Sequence, residues 1–143
     1  MSNEYKEWLK DKMEDNKILV QKYPFIGDYT YTWLDNLPDG WRSAFGEQLC
    51  KDIQEVLDKY NCEMFIMDIK EKYGEMRFYF MLSNDDAYGE VLDVIERYRE
   101  ISRVTCLYCG KPADYVTTGW ITPICKHCAK NKKINIEKTE VII

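Results

Sequence analysis

The sequence predicts an α+β fold, with helices packed on a small antiparallel sheet and a compact ribbon at the C-terminal end. Three patterns carry this expectation: an apolar stripe of helical period over residues 41–60, an apolar alternation of strand period over 63–82, and two Cys-x-x-Cys pairs beyond residue 105. The chain has 143 residues, 45% hydrophobic and 14% aromatic, which is enough apolar surface for a packed core. Its length suits one domain with an appendage, and the division reads as an α+β body over 1–103 and a ribbon with its tail over 104–143.

Residues 4–22 read as a helix, with Tyr5, Leu9 and Met13 spaced four apart and Trp8 beside them. Tyr23-Pro24 ends it, because a residue before proline avoids the α region. Residues 23–41 are crowded with aromatics that lack helical spacing. They read as an irregular segment wrapping the core, with a short strand over Tyr29–Trp33. The strongest helix follows over 41–60, striped by Phe45, Leu49, Ile53, Val56, Leu57 and Tyr60. Asp39 is placed to cap its free N–H groups, and Asn61 to take the left-handed turn that stops it.

Residues 63–82 read as a β-hairpin, with Phe65, Met67 and Ile69 on the buried face of the first strand and Met76, Phe78 and Phe80 on that of the second. Glu71-Lys72-Tyr73-Gly74 reads as the loop, with Gly74 supplying positive φ. Two registers keep the apolar residues together. One opposes Lys70 to Arg77, while the other opposes Asp68 to Arg77 and Lys70 to Glu75. Opposite charges across strands stabilise by a few tenths to about 1 kcal/mol, so the second register is expected. Ser83-Asn84-Asp85-Asp86 then caps a helix over 86–103 that buries Ala87, Val91, Val94, Ile95 and Tyr98. The C-terminal stretch Asn131–Ile143 reads as a short edge strand or a loose tail.

The net charge of −5 is uneven. Residues 104–143 hold six lysines against Asp114, Glu137 and Glu140, a balance of +3 that leaves −8 on residues 1–103. An acidic body repels nucleic acid in general, so nucleic acid is not expected as the primary ligand. The lysines at 126–133 read as a solvated face or as a local contact for phosphate. No apolar run approaches the roughly 18 residues of a membrane span, and the N-terminus carries no secretory pattern. A cytoplasmic protein with no membrane contact is the expectation.

In a reducing compartment, clustered cysteines more often hold a metal than a disulfide. Cys106-x-x-Cys109 and Cys125-x-x-Cys128 are fifteen residues apart, a spacing of four-cysteine zinc sites. Four thiolates complete a tetrahedron with no open position, so such a zinc is structural rather than catalytic. Gly110 stands where the first knuckle bends. Asp114–Thr118 and Trp120–Ile124 are β-rich runs joined at Gly119, so the pairs meet across a hairpin. Disulfides or redox dithiols are the weaker reading. His127 sits between two ligands and reads as an exposed bystander, and Cys50 and Cys62 read as small buried residues.

No catalytic constellation stands out. Asp68-Ile69-Lys70 is similar to the acidic-x-Lys element of restriction-type nucleases, but no further acidic metal ligands are identifiable and the hairpin already gives both charges partners. There is no phosphate loop, and the single His makes a Ser-His or Cys-His couple improbable, so no enzyme activity is expected. Tyr73 at a hairpin tip, Trp120 after the turn glycine of the ribbon and Arg77 on the polar face of its strand are candidate partner-binding residues, since Tyr, Trp and Arg dominate interface energies.

Three stretches in order, Leu37-Pro-Asp-Gly-Trp-Arg42, Ile69-Lys-Glu-Lys-Tyr-Gly-Glu-Met-Arg-Phe-Tyr79 and Thr105-Cys-Leu-Tyr-Cys-Gly-Lys111 running to Cys128, resemble a family of small, mostly uncharacterised bacteriophage and prophage proteins. The resemblance spans roughly residues 30–130 and brings no activity with it. It implies an accessory protein made in a bacterial cytoplasm. Proteins of that class often bind and block a host protein, including CRISPR effectors and other defence machinery. A nucleic-acid-binding ribbon that uses the basic tail is the alternative.

Overall fold

The computed structural model describes residues 2–135 and 139–141. The elements run α1 (Asn3–Lys22), α2 (Asp39–Trp41), a π-helical segment (Arg42–Gly46), α3 (Glu47–Lys59), β1 (Met64–Lys72), β2 (Glu75–Leu82), α4 (Tyr88–Arg103), β3 (Tyr115–Thr117), β4 (Pro123–Ile124), α5 (Lys126–Asn131) and β5 (Thr139–Val141). The architecture is α+β, with an antiparallel β1–β2 hairpin carrying α3 and α4 and a three-stranded ribbon sheet ordered β4-β3-β5. β5 pairs with β3, so the expected C-terminal edge strand forms over 139–141, while Ile142 and Ile143 lie outside the described residues. Among the described residues no helix is long and apolar enough to cross a membrane.

The main core is built from the expected stripes. Phe45, Leu49, Ile53 and Leu57 meet Ala87, Val91, Val94, Ile95 and Tyr98 over the inner face of the hairpin. Trp41 is fully buried in it, and its indole N–H donates to the Thr105 carbonyl at 3.0 Å. A second, smaller cluster forms around Cys106, Ile124, Cys125, Cys128 and Ala129. Asn61 stops α3 with φ at 47°. Asn84 caps a 3-10 turn ahead of α4, its side chain accepting from the Asp86 N–H.

Segment 23–41 is irregular, as expected, but Tyr29–Trp33 forms no strand. It carries one isolated bridge, Gly27 to Thr32, between 3-10 turns at Pro24–Ile26 and Trp33–Asn36. Asp35 holds this segment to its neighbours. Its carboxylate pairs with Arg42 and with Lys12 at 3.5 Å, and accepts from the Asn16 side chain and the Thr32 N–H. Asn16 is the fully buried residue of α1, so the helix is anchored by a polar contact while Tyr5 and Trp8 stay exposed.

Asp39 does not cap the helix it precedes. It lies inside the first turn, and no side chain caps that turn. The N–H of Gly40 donates instead to the Leu107 carbonyl at 2.9 Å, so the ribbon takes over the role expected of Asp39.

The hairpin register differs from the expected one. Lys72 opposes Glu75 and Lys70 opposes Arg77, around a two-residue Tyr73-Gly74 loop with φ of 54° and 76°. Positive φ at both positions is the tight hairpin turn whose twist matches the strands. The charges that were expected to forbid this register are neutralised along their own strands. Lys70 pairs with Asp68 at 3.2 Å, and Arg77 with Glu75 at 2.7 Å. Glu75 also collects Arg99 at 2.7 Å and Arg103 at 3.4 Å, and the Arg99 hydrogen bond leads the interactions that hold its carboxyl below the ordinary value of 4.5.

A bulge in β1 makes a second difference. Ile66 opposes Phe80 and Asp68 opposes Tyr79, which leaves Met67 as the extra residue. The inward set is therefore Met64, Ile66 and Ile69, whereas Phe65 and Met67, expected to be buried, are 69% and 55% exposed. Without the bulge, Asp68 would enter the core and Ile69 would leave it.

A Cβ on Gly40 would lie 2.3 Å from the Cys106 carbonyl oxygen, whereas one on Gly89 would meet nothing within 4 Å. Gly40→Ala is expected to lower the melting temperature. Gly89→Ala, within α4, is expected to stabilise by about 0.5–1 kcal/mol in denaturant titration. Because the folded state depresses the Glu75 carboxyl, its stabilisation is present above pH 4.5 and is lost as pH falls through the folded value. The stability gap between the native chain and Glu75→Gln should therefore be widest near neutral pH and narrow in acid.

Candidate metal centre and exposed aromatic cleft

The two cysteine pairs arrive on different local structures. Cys106 and Cys109 sit on a turn closed by the Gly110 N–H donating to the Cys106 carbonyl at 3.1 Å, with Gly110 at φ 80°. Cys106 is further fixed through its N–H to the Lys111 carbonyl at 2.8 Å. Cys125 is the N-cap of α5, and its sulfur accepts from the Cys128 N–H at 3.4 Å. The Asp114 carboxylate accepts from the Lys126 N–H at 2.7 Å, tying this turn to the start of β3. The β3–β4 pairing, Tyr115 opposite Ile124, then brings the two pairs together.

The four sulfurs of Cys106, Cys109, Cys125 and Cys128 all lie within 4.8 Å of one another, and those of Cys109 and Cys125 are 3.5 Å apart. A tetrahedron of metal–sulfur bonds of about 2.3 Å spaces its sulfurs by roughly 3.8 Å, so this donor set fits one ion. Burial raises the Cys106 thiol, but N–H groups of Cys109, Cys125 and Tyr108 outweigh it and bring the group down to about 7. Cys128 moves the other way, to about 12, through burial and then its three sulfur neighbours. Four cysteine sulfurs this close could be thiolates together only around a cation, a charge a divalent metal would supply. His127 stands apart, exposed, 3.1 Å from the Asn131 side chain. Cys50 and Cys62 are buried free cysteines, and burial pushes the Cys50 thiol up to about 12.

The candidate contact residues fall into two places. Tyr73 and Trp120 line one cleft, although the sequence had placed them on separate modules. With Glu71, Lys72, Gly119 and Ile121 they line a cleft of about 290 Å³ where the hairpin tip abuts the ribbon. Tyr73 is 67% exposed and Trp120 83%. Each wall of the cleft is braced within its own turn. Glu71 accepts from the Gly74 N–H at 2.9 Å, and the Thr117 hydroxyl donates to the Trp120 carbonyl and accepts from the Thr122 N–H. The Lys72 ammonium lies 5.5 Å from the Tyr73 ring centre. Arg77 is not part of this cleft. It lines a separate groove between β2 and α4, paired with Glu75.

Sequence reasoning missed the outer face of the hairpin, where Phe65, Met67, Tyr79 and Met81 are all exposed. The signal was the tyrosine–glycine pair at the tip. Read as a two-residue turn, it sets the register that exposes them.

No protein-family model, no curated protein and no solved structure matches this chain.

Replacing one ligand leaves three thiols converging on no complete site. Cys109→Ser is expected to abolish stoichiometric metal binding and to unfold the ribbon sheet, read as loss of bound metal and of amide dispersion for residues 105–130. Metal content and folding are coupled in so small a unit.

Proposed function

We propose that this chain is a non-enzymatic binding protein, with one zinc ion in its ribbon and a protein partner engaged at the junction between ribbon and body. Zinc is the metal that an all-cysteine tetrahedral set suits best, and such a site leaves no position for a substrate. The observation that carries the reading is the single cleft that Tyr73 and Trp120 line together. Two large aromatics from distant segments lie exposed beside one cleft, where neither contributes to a core. Aromatics presented in this way are typical centres of protein interfaces. The resemblance to small phage proteins supplies the setting, a bacterial cytoplasm in which the partner is a host protein such as a defence effector that the chain blocks by stoichiometric binding. Nucleic acid is a secondary ligand at most, since the body carries −8 against +3 on the ribbon and tail.

Metal analysis of the purified protein is expected to give about one zinc per chain. A pull-down from bacterial lysate, with mass-spectrometric identification, is expected to retain one dominant protein. Tyr73→Ala and Trp120→Ala should each weaken that complex tenfold or more with melting temperature and zinc content unchanged. Binding that survives both changes would place the interface elsewhere. Sub-micromolar binding of generic DNA or RNA at physiological salt would favour the nucleic-acid reading.

A further inference from the structure

The hairpin has two edges, and the structure treats them differently. The outer edge of β1 is covered by the 3-10 turns of segment 23–41. The outer edge of β2 is closed at one end, where the Met76 N–H donates to the Ser102 hydroxyl at 2.9 Å. That bond fixes which β2 residues point their main chain away from β1. Alternation along an unbulged strand then turns Phe78 and Phe80 outward as well. Among the described residues no strand pairs with β2 on that side, and no hydrogen bond reaches the Phe78 or Phe80 main chain there.

This open stretch faces a groove of about 470 Å³ whose far wall is α4. Tyr88, Leu92 and Ile95 supply apolar wall, and Arg77, Glu96 and Arg99 supply charge. The arginines there are already paired, Arg77 and Arg99 each with Glu75 at 2.7 Å and Arg99 also with Glu96 at 3.5 Å. The Arg77 Nε is buried with no hydrogen-bond partner, which leaves a donor beside the groove in want of an acceptor.

We propose that the groove between β2 and α4 binds an extended segment of a partner protein as an added strand. Its main chain pairs with Phe78 and Phe80. An acidic side chain of the segment meets Arg77, and its alternate apolar side chains lie against Tyr88 and Leu92. A strand edge running beside a helix gives an incoming peptide main-chain bonds on one side and side-chain pockets on the other. The period of two along the segment places acid and apolar groups on opposite faces, as the two walls require. The inference rests on the reading of this chain as a binding protein, but not on Tyr73 or Trp120.

The test uses the zinc-loaded full chain and a displayed library of random linear twelve-residue peptides. Selected peptides are expected to alternate apolar residues with Asp or Glu, and to slow hydrogen exchange at the Phe78 and Phe80 amides at least tenfold. Leu92→Arg, which fills the groove from a half-buried wall position, should weaken binding at least tenfold. Arg77→Gln should erase the preference for a peptide with Asp or Glu over its Asn or Gln counterpart. Tyr73→Ala and Trp120→Ala should leave peptide binding unchanged. The proposal is overturned if no sequence is enriched, if enriched peptides leave the two amides exchanging freely, or if binding survives Leu92→Arg in a folded protein. A lysate partner that depends on Tyr73 and Trp120 alone would sink this inference and leave the junction reading standing.

Discussion

The structure turns on a contact between two main chains. Gly40 lies in the first turn of a helix whose first N–H groups have no partner within it, and the cysteine knuckle offers the Leu107 carbonyl. Each satisfies the other. The Gly40 N–H bonds the Leu107 carbonyl, and the Cys106 carbonyl and Gly110 N–H crowd the space where a side chain would stand. Trp41 follows directly, buried in the body and bonded to the Thr105 carbonyl. The knuckle that presents Cys106 and Cys109 is therefore placed by the body. This gives the Pro38-Asp39-Gly40-Trp41 stretch a physical role that its composition alone would not suggest.

The hairpin tip depends on a second arrangement, the convergence of Arg77, Arg99 and Arg103 on Glu75. A mostly buried carboxylate costs several kcal/mol unless cations surround it, and here three do. The cluster ties β2 to the end of α4 and fixes the base of the turn. Beyond it Tyr73 takes a left-handed conformation that side chains rarely adopt, and Gly74 sits close against Ile121 of the ribbon. A Cβ on Gly74 would come within 3.0 Å of the Ile121 side chain, so the close approach of tip and ribbon rests on glycine in the same way as at Gly40.

Much of this was legible in the sequence. The stripes of α3 and α4, the stop at Asn61 and the convergence of the cysteines follow from period and spacing, and each appears. The hairpin was less legible because Met64-Phe65-Ile66-Met67 is apolar on both faces, so alternation could not choose between them. A bulge at Met67 then changed the phase. The register was misjudged by weighing Lys70 against Arg77 alone, when each has an acidic partner two residues away on its own strand. Asp39 looked like a cap because caps are local, whereas the actual partner of Gly40 lies some seventy residues further along the chain. The cleft shared by Tyr73 and Trp120 could not be read at all, since it requires the ribbon to lie against the hairpin tip.

The distribution of exposed apolar groups bears on how copies of this chain would meet. Phe65, Met67, Tyr79 and Met81 share the outer face of a two-stranded sheet whose β2 edge is partly open, a combination that ordinarily invites strand pairing between copies. Two features oppose it. The −8 charge of the body makes any two copies repel at long range. The helix α4 stands beside the open edge with Glu96 and Arg99 on its wall, so the space fits one extended chain more readily than a second folded hairpin with its own helix. The same acidic charge weakens attraction to nucleic acid. On the proposal made above, a partner segment would therefore be extended where it meets β2, with α4 as its second wall.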